Sequence, residues 1–215
     1  MKGLIVKDFA LLRQAGSKIL FFALVWGVVM TFVMDDISFT TGWVVLIAVI
    51  VSLSTLSYDE YDNCMPFLMS MPTSRRIYAA EKYVFSLLCG FIAWLCTLVI
   101  MIICSLAMGK GFPGAEDILG SVMFLPVMML VPAVTLPAQF KWGAQKGRNA
   151  LFILFGVVFV AGFLIEKFGS GLAGAAAKLE TLPMGGFVLG CMAAGVIITL
   201  ASVFLSIRIM EKKEF

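Results

Sequence analysis

The sequence predicts an all-α membrane protein whose single transmembrane domain, residues 1–215, crosses the bilayer six times. The 215-residue chain is 61% hydrophobic and only 13% charged, with a mean hydropathy of +1.04. A soluble domain carries about 25% charged residues, so this composition is typical of membrane proteins. Apolar runs also recur at lengths near the ~20 helical residues that a hydrocarbon core about 30 Å thick requires.

Six apolar runs are predicted to be transmembrane helices, and the segment before them, 1–18, is predicted to be a helix on the membrane surface. The predicted spans are 19–34, 41–58, 83–108, 118–140, 149–165 and 184–210. In segment 1–18, Leu4, Ile5, Phe9 and Leu12 fall on one helical face. That pattern is typical of an amphipathic helix lying on the inner membrane surface. A frayed basic tail is the alternative.

Lysine and arginine are unevenly distributed between the two sides that this layout defines. An even number of spans places both termini on one side, and thirteen of the sixteen basic residues fall there. Lys110, Lys167 and Lys178 fall on the other side. Cytoplasmic loops carry the excess of Lys and Arg. Both termini are therefore predicted to be cytoplasmic in a multi-pass protein of the cell membrane.

The composition of the spans disfavours several classes of function. The chain has no histidine, which is the commonest general base and metal ligand. Apart from Arg208 in the last turn of the sixth span, no predicted span contains Asp, Glu, Lys or Arg. Ion-coupled carriers and intramembrane proteases place such side chains within the membrane, so both classes are disfavoured. The chain also has no GxxxxGK[ST] motif, so we expect any ATP hydrolysis to occur in a partner.

No catalytic, cofactor-binding or metal site is predicted from the residues. The five cysteines form no CxxC pair and lie mostly inside apolar runs, so they are interpreted as packing residues. A row of small residues, Gly186, Gly190 and Ala194, allows close approach of another helix to the sixth span. Packing within the chain is predicted for this row, with a dimer interface as the alternative.

The connection between the second and third spans contains the apolar stretch PFLMSMP at 66–72, between an acidic cluster and a basic pair. Residues 43–65 contain neither Gly nor Pro, so the second helix is predicted to continue beyond the membrane. Thr73 or Ser74 is predicted to be the N-cap of the next helix. An exposed apolar patch rimmed by charge is typical of an interaction site. Packing on the bilayer surface or on the protein's own loops is the alternative.

Three prolines, Pro126, Pro132 and Pro137, are predicted to interrupt the fourth span. Each removes a helical hydrogen-bond donor and tends to kink the helix, which membranes tolerate where neighbours satisfy the freed carbonyls. One interpretation makes this helix a moving wall of a translocation path. Static kinks that serve packing are the alternative.

Three cytoplasmic segments resemble one known family. The run FLMSMPTSRRIYAAEKY at 67–83 resembles the L-x-S-L-P-V-S-R-x-x-I-V-x-A-K-Y stretch of small ABC-2-type transporter permeases. LPAQFKWGAQKGRN at 136–149 is similar to that family's P-x-x-F-K-F-G-x-x-K-G-R, and the ending SIRIMEKKEF to its S-x-x-x-x-x-K-K-E-F. Met71 stands where the family more often has leucine, and Thr73 where it often has valine.

The resemblance implies a bacterial membrane subunit that works with a separate ATP-binding-cassette ATPase, which would bind ATP and Mg²⁺. It places the coupling helix, which docks into the ATPase, in the second-to-third connection. The buried contacts would then be Phe67, Leu68, Met69 and Met71. The rim charges would be Asp59, Glu60, Asp62, Arg75 and Arg76. A second copy or a paralogue would complete the translocation path.

The sequence therefore predicts a permease subunit of an ATP-driven exporter. The lack of charge within the spans indicates an amphipathic or hydrophobic cargo, such as a peptide. Two alternatives remain open at this point: a non-pumping sensor or immunity protein that sequesters a peptide, and an ion-coupled secondary carrier. No nucleic-acid partner is expected.

Overall fold

The computed structural model describes residues 2–34, 37–61, 64–70, 74–107, 109, 111–168 and 184–213. Within these ranges the regular secondary structure is helical, and we number the α-helices in chain order. They are α1 (Lys2–Leu11), α2 (Ser17–Met34), α3 (Ile37–Glu60), α4 (Cys64–Ser70), α5 (Arg75–Ala107), α6 (Ala115–Val122), α7 (Phe124–Trp142), α8 (Ala144–Gly147), α9 (Asn149–Phe168) and α10 (Met184–Lys212). The predicted all-α class is confirmed.

Six of the described helical segments are long and apolar enough to cross a membrane, which confirms the predicted number. They are Gly3–Thr31, Thr40–Glu60, Arg75–Ala107, Asp117–Trp142, Ala144–Leu164 and Gly185–Lys212. The apolar length that the sequence supplies in each run explains this agreement, because each holds the ~20 residues that a bilayer core demands.

The N-terminal segment is continuous with the first span. A π-helical stretch, Leu12–Gly16, joins α1 to α2, and the residues on either side of it keep right-handed helical dihedrals. The predicted helix at 1–18 is thus present, but no break separates it from the span that follows. Leu4 and Asp8 on α1 are buried, and Phe9 packs edge-on against Phe85 of α5 with ring centroids 5.2 Å apart. The apolar face of α1 therefore packs on the protein.

Helix α7 lies at the centre of the bundle, where it packs against α3, α5 and α10. Its side chains Met128, Val131, Leu136 and Phe140 are buried in one cluster with residues of those neighbours. Close packing of such side chains supplies the van der Waals contacts that hold helices together where lipid surrounds them. Helix α9, by contrast, packs on α7 and α8 and exposes most of its described length.

The second helix extends beyond its predicted span, which ends at residue 58. Helix α3 ends at Glu60, and the next helix, α4, begins at Cys64. The sequence predicts that the second helix continues through residue 63, but residues 62 and 63 lie outside the described residues. As the third residue of α4, Pro66 sits in a first turn, where its missing N–H needs no intrahelical partner. Ser74 caps α5 as predicted, since its hydroxyl accepts the backbone N–H of Ile77 at 3.3 Å.

The prediction that Gly186, Gly190 and Ala194 of α10 pack within the chain is wrong. All three are exposed in this chain, and a side chain added at Gly190 would meet no atom within 4 Å. Gly195 makes the close approach instead, because a Cβ placed there would lie 3.6 Å from the Cα of Pro126 on α7. The row therefore lies on the outer surface of the bundle.

Candidate functional site

Four segments far apart in sequence meet at one end of the helical bundle, which we call the basal end. The first is α1, the second runs from the end of α3 through α4 to the start of α5, the third is α8, and the fourth is the end of α10. Lys7 Nζ lies 2.5 Å from Asp59 Oδ1, and the backbone N–H of Ala144 donates to Glu60 Oε2 at 2.6 Å. Lys213 Nζ lies 3.9 Å from Glu60 Oε1. These contacts bring together the predicted N-terminal, second, fourth and C-terminal cytoplasmic segments.

Helix α4 is anchored on one side and exposed on the other. Met65 and Leu68, three residues apart, are buried at 5% and 9% exposure in the main hydrophobic cluster. Phe67 is 64% exposed, and Cys64 and Pro66 are exposed too. The expectation that Leu68 is a contact for a partner is therefore wrong in this conformation, because its helical position turns it towards the protein's own core. Among the predicted apolar contacts whose side chains are described, Phe67 is the exposed one.

Three other predicted contact residues lie beyond what the structure describes. Asp62 and Met71 fall outside the described residues, and so does the side chain of Met69. Their assignment as partner contacts stays a prediction.

Asp59 is buried, so its prediction as an exposed rim charge is wrong. Only 3% of the residue is exposed, and it belongs to a buried ion cluster that we define as Lys7, Asp8, Asp59 and Lys82. Lys82 Nζ lies 2.5 Å from Asp8 Oδ2 and 2.8 Å from Asp59 Oδ2. The hydroxyl of Tyr78 donates to Asp59 Oδ2 at 2.8 Å. Each buried charge therefore has a charged partner, which offsets the cost of removing it from water.

The buried ion cluster joins α1, α3 and α5, and the sequence prediction missed it. Asp8 was the available signal, since it lies one turn after Leu4 on the apolar face of the N-terminal helix. A lone carboxylate on an apolar face requires a buried cation, and Lys82 supplies it from α5. The same feature argues against a helix that lies with this face in lipid.

Arg75 and Arg76, predicted as rim charges, hold the end of α10 to the start of α5. Arg75 Nη1 donates to the carbonyl oxygens of Glu211 at 3.1 Å and Lys213 at 2.7 Å. Arg76 forms an ion pair with the carboxylate of Glu211. The last carbonyls of a helix have no partner inside it, so Arg75 satisfies groups that otherwise require water. Both arginines remain at the surface of the basal end.

Glycine is required where α7 turns into α8 and α9. Gly143 has φ of +87°, a conformation that residues with a side chain rarely adopt, and it directs the N–H of Ala144 to Glu60. At Gly147, an added Cβ would lie 2.5 Å from the Cα of Gln139 and 2.6 Å from its backbone nitrogen. The segment GAQKG at 143–147 therefore forms a tight corner beside α4. Cavities of about 520 and 510 Å³ lie along it, and Glu60 lines both.

Comparison with known proteins identifies the family of this chain. A family profile described as ABC-2 family transporter protein matches residues 3–211. The chain belongs to the ABC-2 transporter family. No curated protein and no solved structure matches it. The ABC-2 match spans all six candidate membrane helices, so the chain is a multi-pass membrane subunit of an ABC transporter, of a generally non-catalytic kind.

In this ABC-2 subunit the three prolines lie on α7, but they do not interrupt it as predicted. The helix starts at Phe124, so Pro126 sits in its first turn, and it continues through Pro132 and Pro137. The break in the fourth span falls at Met123, between α6 and α7. Pro126 and Pro132 are buried in the bundle, whereas Pro137 lines an open groove.

A neighbouring helix satisfies the carbonyl that Pro137 frees. Ala133 O has no helical donor, because the residue four positions later is Pro137. Ser202 on α10 donates its hydroxyl to this oxygen at 2.5 Å. Tyr83 Oη on α5 shares hydrogen bonds of 2.6 Å with Ser202 and 2.7 Å with Ser206. This network of side chains allows α7 to remain helical across the proline.

Proposed function

We propose that this chain is the permease subunit of an ABC exporter and that a separate ATPase drives it by contact with α4 at the basal end. The observation that carries the proposal is the division of α4 into two faces. Met65 and Leu68 fix the helix to the bundle, while Phe67 presents an aromatic side chain outward. A large apolar side chain that is exposed on an anchored helix is suited to a socket on a partner protein.

The contacts around α4 support a mechanical role. The helix follows the end of α3 and precedes the start of α5, and those two ends are tied together by Asp59 and Lys82. Arg76 ties the start of α5 to the end of α10. Since Met65 and Leu68 hold α4 in the hydrophobic cluster, a displacement of α4 by the ATPase would be passed to three membrane helices. ATP and Mg²⁺ are bound by the partner in this proposal.

The nature of the membrane helices supports the proposed cargo and assembly. Apart from Arg208, the predicted spans contain no Asp, Glu, Lys or Arg, which favours an amphipathic or hydrophobic cargo such as a peptide. The exposed row of Gly186, Gly190 and Ala194 offers a surface on which a second copy or a paralogue packs closely. The excess of basic residues supports a cytoplasmic location for the basal end and both termini. We propose the cell membrane of a bacterium as the location.

Co-purification with P-loop ATPases from the native host tests the proposal. Phe67→Asp should abolish the complex, because it places a charge where the socket is apolar, and Phe67→Leu should retain it. Phe112→Asp is the matched control, since Phe112 is 67% exposed but follows α5 at the opposite end of the bundle. A complex that survives Phe67→Asp unchanged would remove α4 as the contact.

Activity with a catalytically dead ATPase separates pumping from sequestration. An exporter loses all protection against its cargo when the ATPase is inactive, whereas a sequestering protein continues to protect. Export measured in inverted membrane vesicles should depend on ATP and should persist when ion gradients are collapsed by ionophores.

A further inference from the structure

A groove of about 650 Å³ lies between α7 and α10 at the basal end, on the side where α9 begins. Its upper walls include Val134 and Pro137 of α7, Ala150 of α9 and Leu205 of α10. Leu205 is 53% exposed, so the groove opens onto the outer surface of the bundle. We call it the lysine-rimmed groove, because Lys141, Lys212 and Lys213 line its lower end.

The two walls of the groove change from apolar to cationic in the same direction. The contacts of Thr199 with Met129 and of Ser202 with Ala133 show that α7 and α10 run side by side towards the basal end. From Val134 to Trp142 the helix advances about 12 Å, at 1.5 Å per residue. Over that distance both walls pass from aliphatic side chains to lysines. The groove is therefore amphipathic along its own axis.

Among the described residues, three lysines and no acidic side chain line the lower end of the groove. Glu60 Oε1 lies 3.9 Å from Lys213 Nζ, and Glu60 also accepts the N–H of Ala144. Glu211 is paired with Arg76 on the other side of α10. Lys141 and Lys212 thus add positive charge at this end, where the dipoles of both helices leave partial negative charge that holds cations in place.

We propose that the lysine-rimmed groove binds an anionic glycerophospholipid, with its acyl chains along the aliphatic walls and its phosphate at the lysines. Three features select this occupant. The upper groove continues the exposed apolar surface of α9 and α10, which acyl chains cover in a bilayer. Trp142, 59% exposed at the lower end, lies where tryptophan is enriched, at the level of the head groups. Basic pockets between membrane helices on the cytoplasmic side bind anionic head groups.

This proposal rests on the six spans crossing a bilayer and does not rely on the ATPase contact at Phe67. It assigns new roles to residues of the fourth connection and the C-terminus. Lys141 extends over the ring of Trp142, with Nζ 5.3 Å from its centroid. That contact positions the ammonium group beside the aromatic wall, where a lipid phosphate would reach it. The lipid would brace α7 against α10 at the level where both helices leave the membrane.

Quenching of Trp142 by brominated phospholipids tests the proposal at the site itself. The protein is reconstituted in vesicles of phosphatidylcholine that contain brominated phosphatidylglycerol or, in parallel, brominated phosphatidylcholine. The Trp142 signal is the difference between the unmodified protein and Trp142→Phe. We expect half-maximal quenching at about 25-fold lower mole fraction of the anionic lipid, since Lys141 and Lys212 near the head groups each contribute about fivefold. Equal quenching by both lipids would overturn the proposal.

Variants identify the lysines as the cause. Replacing Lys141, Lys212 and Lys213 together by Gln should reduce the preference to near unity, and the corresponding Arg variants should keep it. The control is Lys146→Gln with Arg148→Gln, which removes two charges from the same end outside the groove and should leave the preference intact. A preference that persists in the triple Gln variant, or that is lost equally in the control, would contradict the assignment.

Two further experiments distinguish a lipid from other occupants of the groove. Ala150→Phe narrows the apolar wall and should weaken quenching by brominated lipid of either head group. Glycerol 3-phosphate, which has the head-group charge without acyl chains, should not relieve the quenching at millimolar concentration. Relief by this compound would show a simple anion site, and absence of quenching by either lipid would show that protein fills the groove. Both results overturn the lipid assignment.

Discussion

The ammonium group of Lys82 lies 2.5 Å from the carboxylate of Asp8, and both side chains are almost completely buried. The two residues are 74 positions apart, so this ion pair fixes the N-terminal helix to the third membrane span. Burial makes the pair costly to break, because a remaining partner would be an uncompensated charge inside the protein.

We expect Lys82→Met to destabilise the protein by about 3–5 kcal/mol, the range for breaking a buried ion pair by removing one partner. The double variant Lys82→Met with Asp8→Asn should recover part of that loss, since it removes both charges of the pair and leaves neither carboxylate nor ammonium group without its partner. Denaturant unfolding of the purified protein in detergent, followed by tryptophan emission, measures both changes. Equal stability of the single variant and the unmodified protein would contradict the importance of the cluster.

Glu81 provides a matched control at the neighbouring position. It is fully buried, and neither carboxylate oxygen has a hydrogen-bond partner among the described residues. Glu81→Gln keeps the shape and removes a group whose ionisation is costly at this site. The same unfolding measurement should show unchanged or increased stability, in contrast to Lys82→Met one position later.

Gly147→Ala should destabilise the corner between α8 and α9 by about 1–3 kcal/mol, because the added methyl group overlaps the backbone of Gln139. Gly190→Ala is the comparison, since nothing lies within 4 Å of a Cβ there and alanine is the better helix former. Thermal unfolding should rank Gly147→Ala below the unmodified protein and Gly190→Ala at or above it. The reverse order would show that the corner is formed differently.

Ser202→Ala should cost about 1–3 kcal/mol, because it removes hydrogen bonds to Ala133 O and to Tyr83. In a Pro137→Ala background the cost should fall by about 1 kcal/mol, since the restored backbone N–H of residue 137 satisfies Ala133 O. A double-mutant cycle by denaturant unfolding measures the coupling. Purely additive effects would show that the serine does not compensate for the proline.

Arg75→Gln should increase fraying at the end of α10, because the carbonyls of Glu211 and Lys213 lose their donor. Amides of residues 208–212 should exchange with deuterium about fivefold faster, which corresponds to a typical hydrogen bond. Arg13→Gln, a change at another exposed arginine, should leave those amides unaffected. Unchanged exchange in Arg75→Gln would mean that α10 ends without this cap.

The number of membrane helices was predictable because it depends on apolar length alone. Their ends were less predictable: the run 43–65 lacks helix breakers, yet the regular helix α3 ends at Glu60. The candidate site was found only in part. Phe67 is exposed as a contact requires. Leu68 is as apolar as Phe67 in the sequence, and Asp59 is predicted there as a surface charge, but both are buried. Such partners, Lys82 above all, cannot be assigned before the helices are placed.

Photo-crosslinking from position 67 tests the central claim most directly. A photoreactive phenylalanine analogue is placed at residue 67 or at residue 112, and the chain is produced in its native host. The account predicts an adduct between position 67 and a P-loop ATPase, and none from position 112. An adduct from position 112 alone, or transport by the isolated chain without such an ATPase, would contradict it.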